Sequence, residues 1–272
     1  MKDVLWVTSC ATDMWRASGG SLVSSFIMRK VTGRLLVCTE GLAADFPSHP
    51  SVLRYSLDDD EFLQTWLRDN AAYIPATLGG KLPEPLCTCP GGPYPADPKP
   101  HKPACPGSWW QKNHSRWFRK VASLRHALTL VDPKTVGAIV WVDSDCRFSS
   151  SLRMPEIRAL FANAHCFYVR GTRAVMEAGV VGYLTTPQGR KLLHEIEARY
   201  VTGRYRKSPR WDDSAQIQEA IATTRVPARD LVRPQPKARK MARKDHVVER
   251  SPLGRFLTHD KGRHGRILGL MT

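Results

Sequence analysis

Ala138-Ile139-Val140-Trp141-Val142 is a continuous apolar run rich in β-branched side chains, and it stops at Asp143-Ser144-Asp145. Such a run reads as a strand buried on both faces, the kind found in parallel sheets covered by helices. Alternate residues of an extended chain share a face, so Asp143 and Asp145 are expected to point the same way at the strand's carboxyl end. Open α/β sheets bind ligands at that end. Two carboxylates there cost folding energy unless something cationic neutralises them. A hard divalent cation carrying a phosphorylated ligand would do so. A strand followed by an acidic turn with no ligand is the plainer reading of the same residues.

The surrounding pattern supports a sheet of this class. Val4–Val7, Leu35–Glu40, Val52–Leu57, Cys166–Val169 and Glu177–Leu184 all read as strands, separated by segments with helical spacing. Alternating strands and helices predict an α/β fold with a mainly parallel sheet and crossover helices. After the first strand, Thr8, Ser9 and Asp13 lead through Ser18-Gly19-Gly20-Ser21 into an apolar helix. A small polar loop in that place suits a nucleotide, although it matches neither the dinucleotide glycine fingerprint nor a P-loop. Asp58-Asp59-Asp60 precedes a helical pattern and reads as a cap. Arg116 and Lys120 are four apart and share one face of the helix leading into the Asp143 strand. They would face either a diphosphate or solvent. Gly179 and Gly182, within the Glu177–Leu184 strand, imply close approach of another group. Trp211-Asp212-Asp213-Ser214 opens a further helix. One acid is expected to cap it, and the pair also suits a general base at a sugar pocket.

Two segments break the pattern. Residues 79–107 are crowded with Pro and Gly and contain Cys87, Cys89, His101 and Cys105. These four could hold a structural Zn²⁺ in a loop with no core of its own, or be incidental thiols in a flexible loop. The other cysteines, Cys10, Cys38, Cys146 and Cys166, sit beside apolar runs and read as core residues. From Arg225 to Arg266 there are thirteen Lys and Arg against four Asp and Glu, a local net of +9. Four prolines there forbid one long helix. The whole chain carries +16, which points to a polyanionic partner, nucleic acid before anionic membrane. Near the end, His259, Lys261 and Gly262 crowd together, suited to completing a metal site and holding phosphates. No apolar run is long enough to span a membrane, and Met1-Lys2-Asp3 leads straight into the first strand, so a cytoplasmic location is expected.

The Val-Asp-Ser-Asp strand end, the Trp-Asp-Asp-Ser segment and the later His-Asp-Lys-Gly, in that order, resemble the GT-A glycosyltransferases, which use a nucleotide-sugar and a divalent metal. Glu177-Ala178-Gly179-Val180-Val181-Gly182-Tyr183 and Trp211-Asp212-Asp213-Ser214 look like a bacteriophage branch, some members of which glycosylate hydroxymethylated bases in phage DNA. The resemblance implies a GT-A, Rossmann-like mixed sheet flanked by helices. It implies a catalytic domain over 1–224 and a basic C-terminal arm over 225–272 that closes the active site. Asp143, Asp145 and His259 would bind Mn²⁺ or Mg²⁺. Lys261 and Gly262 would contact the diphosphate of a UDP-sugar, with Ser144, Arg116 and Lys120 as further candidates. Thr8, Ser9 and Asp13 would line the nucleoside pocket. Asp213 would deprotonate an acceptor hydroxyl, with Glu177 as a second candidate. That branch carries a His between the Trp and the Asp, which this chain lacks, so the choice between Asp212 and Asp213 stays open.

Three functions fit these residues. One is sugar transfer to hydroxymethylpyrimidine DNA, which would place a phage-encoded protein in the host cytoplasm. In the second the acceptor is a cell-surface glycan, lipid or protein, with the arm docked on anionic membrane. The third is a nucleic-acid-binding module with no catalysis.

Overall fold

The computed structural model describes residues 3–41, 46–71, 74, 114–171, 176–208, 210–232 and 246–259. The Cys87, Cys89, His101 and Cys105 cluster lies outside them, as do Lys261 and Gly262. The strands are β1 (Val4–Ala11), β2 (Arg34–Glu40), β3 (Val52–Ser56), β4 (Ala138–Val142), β5 (Cys146–Phe148), β6 (Cys166–Arg170), β7 (Met176–Leu184), β8 (Ala228–Asp230) and β9 (Leu257–His259). The helices that frame the site are α1 (Gly20–Met28), α2 (Glu61–Asp69), α3 (His114–Thr129), α4 (Met154–Phe161), α5 (Pro187–Val201), α6 (Asp213–Thr224) and α7 (Val247–Arg250).

Seven strands form one sheet in the order β3-β2-β1-β4-β7-β6-β8. β1 pairs in parallel with β2 and β4, β2 with β3, and β6 with β8. β7 alone runs against its neighbours β4 and β6. The fold is therefore α/β with a mixed, mainly parallel sheet flanked by helices, as the strand pattern predicts. The antiparallel β7 was beyond that pattern. Strand direction depends on which remote strand pairs with which, and the local alternation is the same either way.

Side-chain parity sorts the core onto the two faces of the sheet. Leu5, Val7, Leu36, Ile139, Trp141, Val181 and Tyr183 pack on one face with α3, α5 and α6. Val4, Trp6, Leu35, Val37, Val140 and Val142 pack on the other with α1 and α4. Covering both faces explains why β4 is apolar at every position. The same parity points the residue after β4 toward α3 and α6.

Chain reversal on either side of β1 sets the location of the cleft. β1 connects outward to β2 on one side and borders β4 on the other, so the sheet switches direction of winding between β1 and β4. Crevices open at the carboxyl ends of strands at such a point. The C-terminal part of the chain returns twice. β8 extends the sheet at its edge, and β9 pairs antiparallel with β5, placing His259 opposite Cys146. Among the described residues, no helix is long and apolar enough to cross a membrane.

Candidate active site

The carboxyl ends of β1 and β4 open into a cleft of about 740 Å³. Ser9 and Asp13 line it from β1 and the turn beyond, and Asp143, Ser144 and Asp145 from the end of β4. Arg116 and Lys120 line it from α3, Glu177 and Gly179 from β7, and Asp212 and Asp213 from the start of α6. Thr8 does not line it. Its side chain is 1% exposed, in the body of β1, where successive residues alternate between the faces.

Asp143 and Asp145 share the cleft but not one strand face. β4 ends at Val142, and a turn closes from the Asp143 carbonyl to the Cys146 amide, 3.0 Å away. Alternation holds only while the chain is extended, so the expectation of a common face fails at that turn. Asp143 follows the parity of Trp141. The Trp141 indole donates to Asp143 Oδ1 at 2.6 Å, and Lys120 Nζ lies 3.6 Å from that oxygen. Asp145 turns instead to the C-terminal strand, where His259 Nε2 lies 2.8 Å from its Oδ1. The pairing of β9 with β5 delivers that histidine across 114 residues of sequence.

Gly179 explains how the pieces fit. A Cβ on it would sit 2.9 Å from His259 Cε1 and 3.3 Å from Asp143 Oδ2. The bare backbone at this position lets the imidazole and the first carboxylate approach over β7. Gly182 has a different reason: a Cβ there would overlap the Phe167 ring.

Lys120 has a different place from the one expected. Its ammonium is buried, pairs with Asp213 Oδ2 and donates to the Ala178 carbonyl at 2.8 Å. Burial pushes its pKa down, but Asp213 and Asp143 more than offset that and hold it above the usual lysine range. Two of its donors go to protein oxygens, and the ammonium lies between Asp213 and Asp143. Arg116 on the same helix is exposed on the cleft.

The two acids at α6 also separate. Asp212 caps the helix: Oδ1 accepts from the Ala215 amide at 3.0 Å and Oδ2 from Arg210 Nε at 2.6 Å. Burial nevertheless raises its pKa, with Asp213 adding to the rise and Arg210 opposing it. Asp213 faces Lys120, and its Oδ1 accepts from Ser214 N at 2.8 Å. The expected cap is thus Asp212, and Asp213 is the acid joined to the Asp143 side of the cleft.

Two groups escaped the sequence reading. Glu40, at the end of β2, accepts two bonds from the Arg119 guanidinium at the rim of the cleft. His246 precedes α7, with Nδ1 2.9 Å from His259 Nδ1 and Nε2 3.6 Å from Glu177 Oε2. Neither has a local spacing that announces it. His246 stands 13 residues from His259 behind a run of basic residues, and only the fold brings Glu177 to it.

No protein-family model matches the chain, and no curated protein is similar to it in sequence. Solved structures do match in shape. The apo form of mouse xyloside xylosyltransferase 1 aligns over 85% of this chain and 85% of its own, at 12% identity and a TM-score of 0.46. A protein of Desulfovibrio desulfuricans G20, described as a candidate nucleotide-diphospho-sugar transferase, aligns over 85% of this chain and 80% of its own, at 9% identity and a TM-score of 0.40.

Proposed function

We propose that the chain transfers a sugar from a nucleotide-diphosphate sugar, with Mn²⁺ or Mg²⁺ held by Asp143, Asp145 and His259. The observation that carries this reading is the meeting of His259 with Asp145 at the carboxyl end of the sheet, 2.8 Å apart. Two ligands on neighbouring corners of an octahedral ion with bonds of about 2.1 Å lie about 3 Å apart, so this pair is spaced to share one cation. Mixed carboxylate and imidazole donors suit Mn²⁺ better than Mg²⁺, which prefers oxygen. Cys146 clusters with Asp145 and His259, their ligand atoms all within 4.8 Å of one another. Burial and the neighbouring carboxylates hold its thiol well above its usual range, and a soft thiolate suits Mn²⁺ or Mg²⁺ less well than oxygen and imidazole donors do. A bound cation would supply Lewis-acid stabilisation of the nucleoside-diphosphate leaving group.

The chain's own residues divide the remaining work. Ser9, Asp13 and Arg116 line the side of the cleft at β1, suited to the nucleoside and its phosphates. Lys120 spans Asp143 and Asp213 and fixes the distance between the donor side and the acceptor side. Asp213 would receive the acceptor's hydroxyl proton once its bond to Lys120 loosens, and Glu177 lines the same cleft. Lys261 and Gly262 would add phosphate contacts, and a Zn²⁺ at Cys87, Cys89, His101 and Cys105 would brace the insert.

The acceptor in this reading is the hydroxymethyl group of a pyrimidine in phage DNA. The +16 charge and the exposed Arg116 beside Trp117 at the cleft support a polyanionic acceptor carrying a base that stacks. Incubation with a panel of labelled nucleotide-sugars and Mn²⁺, on hydroxymethylated and plain DNA, tests it. Label is expected on the hydroxymethylated DNA alone. Transfer to glycan, lipid or protein acceptors with neither DNA labelled refutes the DNA acceptor. Binding of DNA with no nucleotide-sugar turnover refutes the enzyme.

A further inference from the structure

His246 lies outside the motifs that suggest sugar transfer, yet it touches the residue on which the cation site depends. The described groups form a chain: Glu177 Oε2, His246 Nε2 at 3.6 Å, His246 Nδ1 to His259 Nδ1 at 2.9 Å, and His259 Nε2 to Asp145 Oδ1 at 2.8 Å. A fourth contact favours one direction for its protons. The backbone amide of Val248 points at His246 Nδ1, 3.4 Å away, as His246 caps α7. An amide donates, so this nitrogen carries a lone pair. The proton of a neutral His246 is then on Nε2, facing the Glu177 carboxylate. With His246 Nδ1 an acceptor, the 2.9 Å contact requires His259 Nδ1 to be the donor. In the neutral ring His259 Nε2 is left as a lone pair aimed at Asp145.

Two acceptors 2.8 Å apart need something positive between them, either a proton, as in an imidazolium paired with Asp145, or a metal ion. A divalent cation meets that need, and a histidine that binds metal holds its other N–H in a hydrogen bond that sets ring and tautomer. We infer that His246, anchored by Glu177, is a positioning residue that presents the Nε2 lone pair of His259 to a divalent cation at Asp145. The inference rests on the cation reading of the Asp143, Asp145 and His259 group. Glu177 acquires a role by the same geometry: its carboxylate, 3.6 Å from His246 Nε2, favours a proton on that nitrogen; the sequence reading placed Glu177 near the acceptor.

Titration of Mn²⁺ into the full chain without nucleotide-sugar, followed by calorimetry or by the free-ion paramagnetic signal, tests this with three proteins. Wild type is expected to bind. His246→Leu removes the acceptor and should weaken binding about 10- to 100-fold. His246→Asn keeps an oxygen near the Nδ1 position and still caps α7, so it should restore most of the loss. Unchanged affinity in His246→Leu, or Asn no better than Leu, overturns the inference while leaving the cation site standing. No Mn²⁺ binding by wild type overturns both. A second measurement is free of any folding defect in the variants. In the ¹⁵N imidazole spectrum of wild type with Mg²⁺, His259 should carry its proton on Nδ1; a proton on Nε2 overturns the inference.

Discussion

At the scale of single residues, the site is organised by one buried ammonium and one glycine. Lys120 is buried between Asp213, whose side chain is 11% exposed, and Asp143, whose side chain is 34% exposed. Removing one partner of a buried ion pair strands the other, at about 3–5 kcal/mol. Lys120→Met is therefore expected to lower the unfolding free energy in urea by about that amount. Adding Asp213→Asn should recover part of it, because the stranded charge is gone. Strictly additive losses in the double variant would contradict the pairing. Gly179→Ala tests the packing of the proposed cation ligands. The new methyl must push on the His259 ring and the Asp143 carboxylate, at 2.9 and 3.3 Å. Mn²⁺ affinity is expected to fall by about tenfold or more, by analogy with the loss of groups that orient metal ligands, while the secondary structure seen by circular dichroism stays unchanged. His259 itself was legible in sequence as a candidate ligand. His246 was not, because its partners are chosen by chain return and not by spacing.

At the scale of elements, β7 shows both what sequence pattern reveals and where it stops. The apolar run of Met176–Leu184 around Val180 and Val181 marks a strand, and its glycines mark close approach. The identity of the approaching groups, Phe167 at Gly182 and His259 at Gly179, depends on β6 and β9, which pair with remote sequence. Gly182→Ala should overpack the β6–β7 contact and cost about 1–3 kcal/mol, read as a lowered midpoint in thermal unfolding. No change would mean that Phe167 has room to move. The turn after β4 carries the same lesson. Asp143-Ser144-Asp145 reads as an extended pair of acids, but the strand ends one residue too early for that. The early end gives each acid a different partner, Lys120 beside Asp213 for the first and the buried His259 for the second. The capping role of Asp60, which accepts from the Leu63 amide at 2.7 Å, was legible because caps are local.

At the scale of the whole molecule, the two faces of the sheet are closed by core that includes four free, buried cysteines among the described residues. Burial pushes Cys10 to about 12, with Asp13 adding to the rise, and pushes Cys38 to about 12, with Ser123 opposing. A folded pKa above the unfolded value of about 8.5 gives a contribution that is intact below that pH and lost as pH rises toward the folded value. Stability should therefore hold to about pH 8.5 and then fall, by about 1.4 kcal/mol per pH unit for each of these thiols. Peptide mapping after brief alkylation at pH 8 should find Cys10 and Cys38 unmodified; early labelling of either would contradict their burial. The central claim at this scale is that a chain returning as β9 completes a cation site at the carboxyl end of an α/β sheet. Calorimetric titration of nucleoside diphosphates, UDP first, into the full chain with and without Mn²⁺ tests that claim most directly. The account predicts binding that requires Mn²⁺ and is lost in Asp145→Asn. Binding equally tight without the cation, or no binding of any nucleoside diphosphate in its presence, would contradict it.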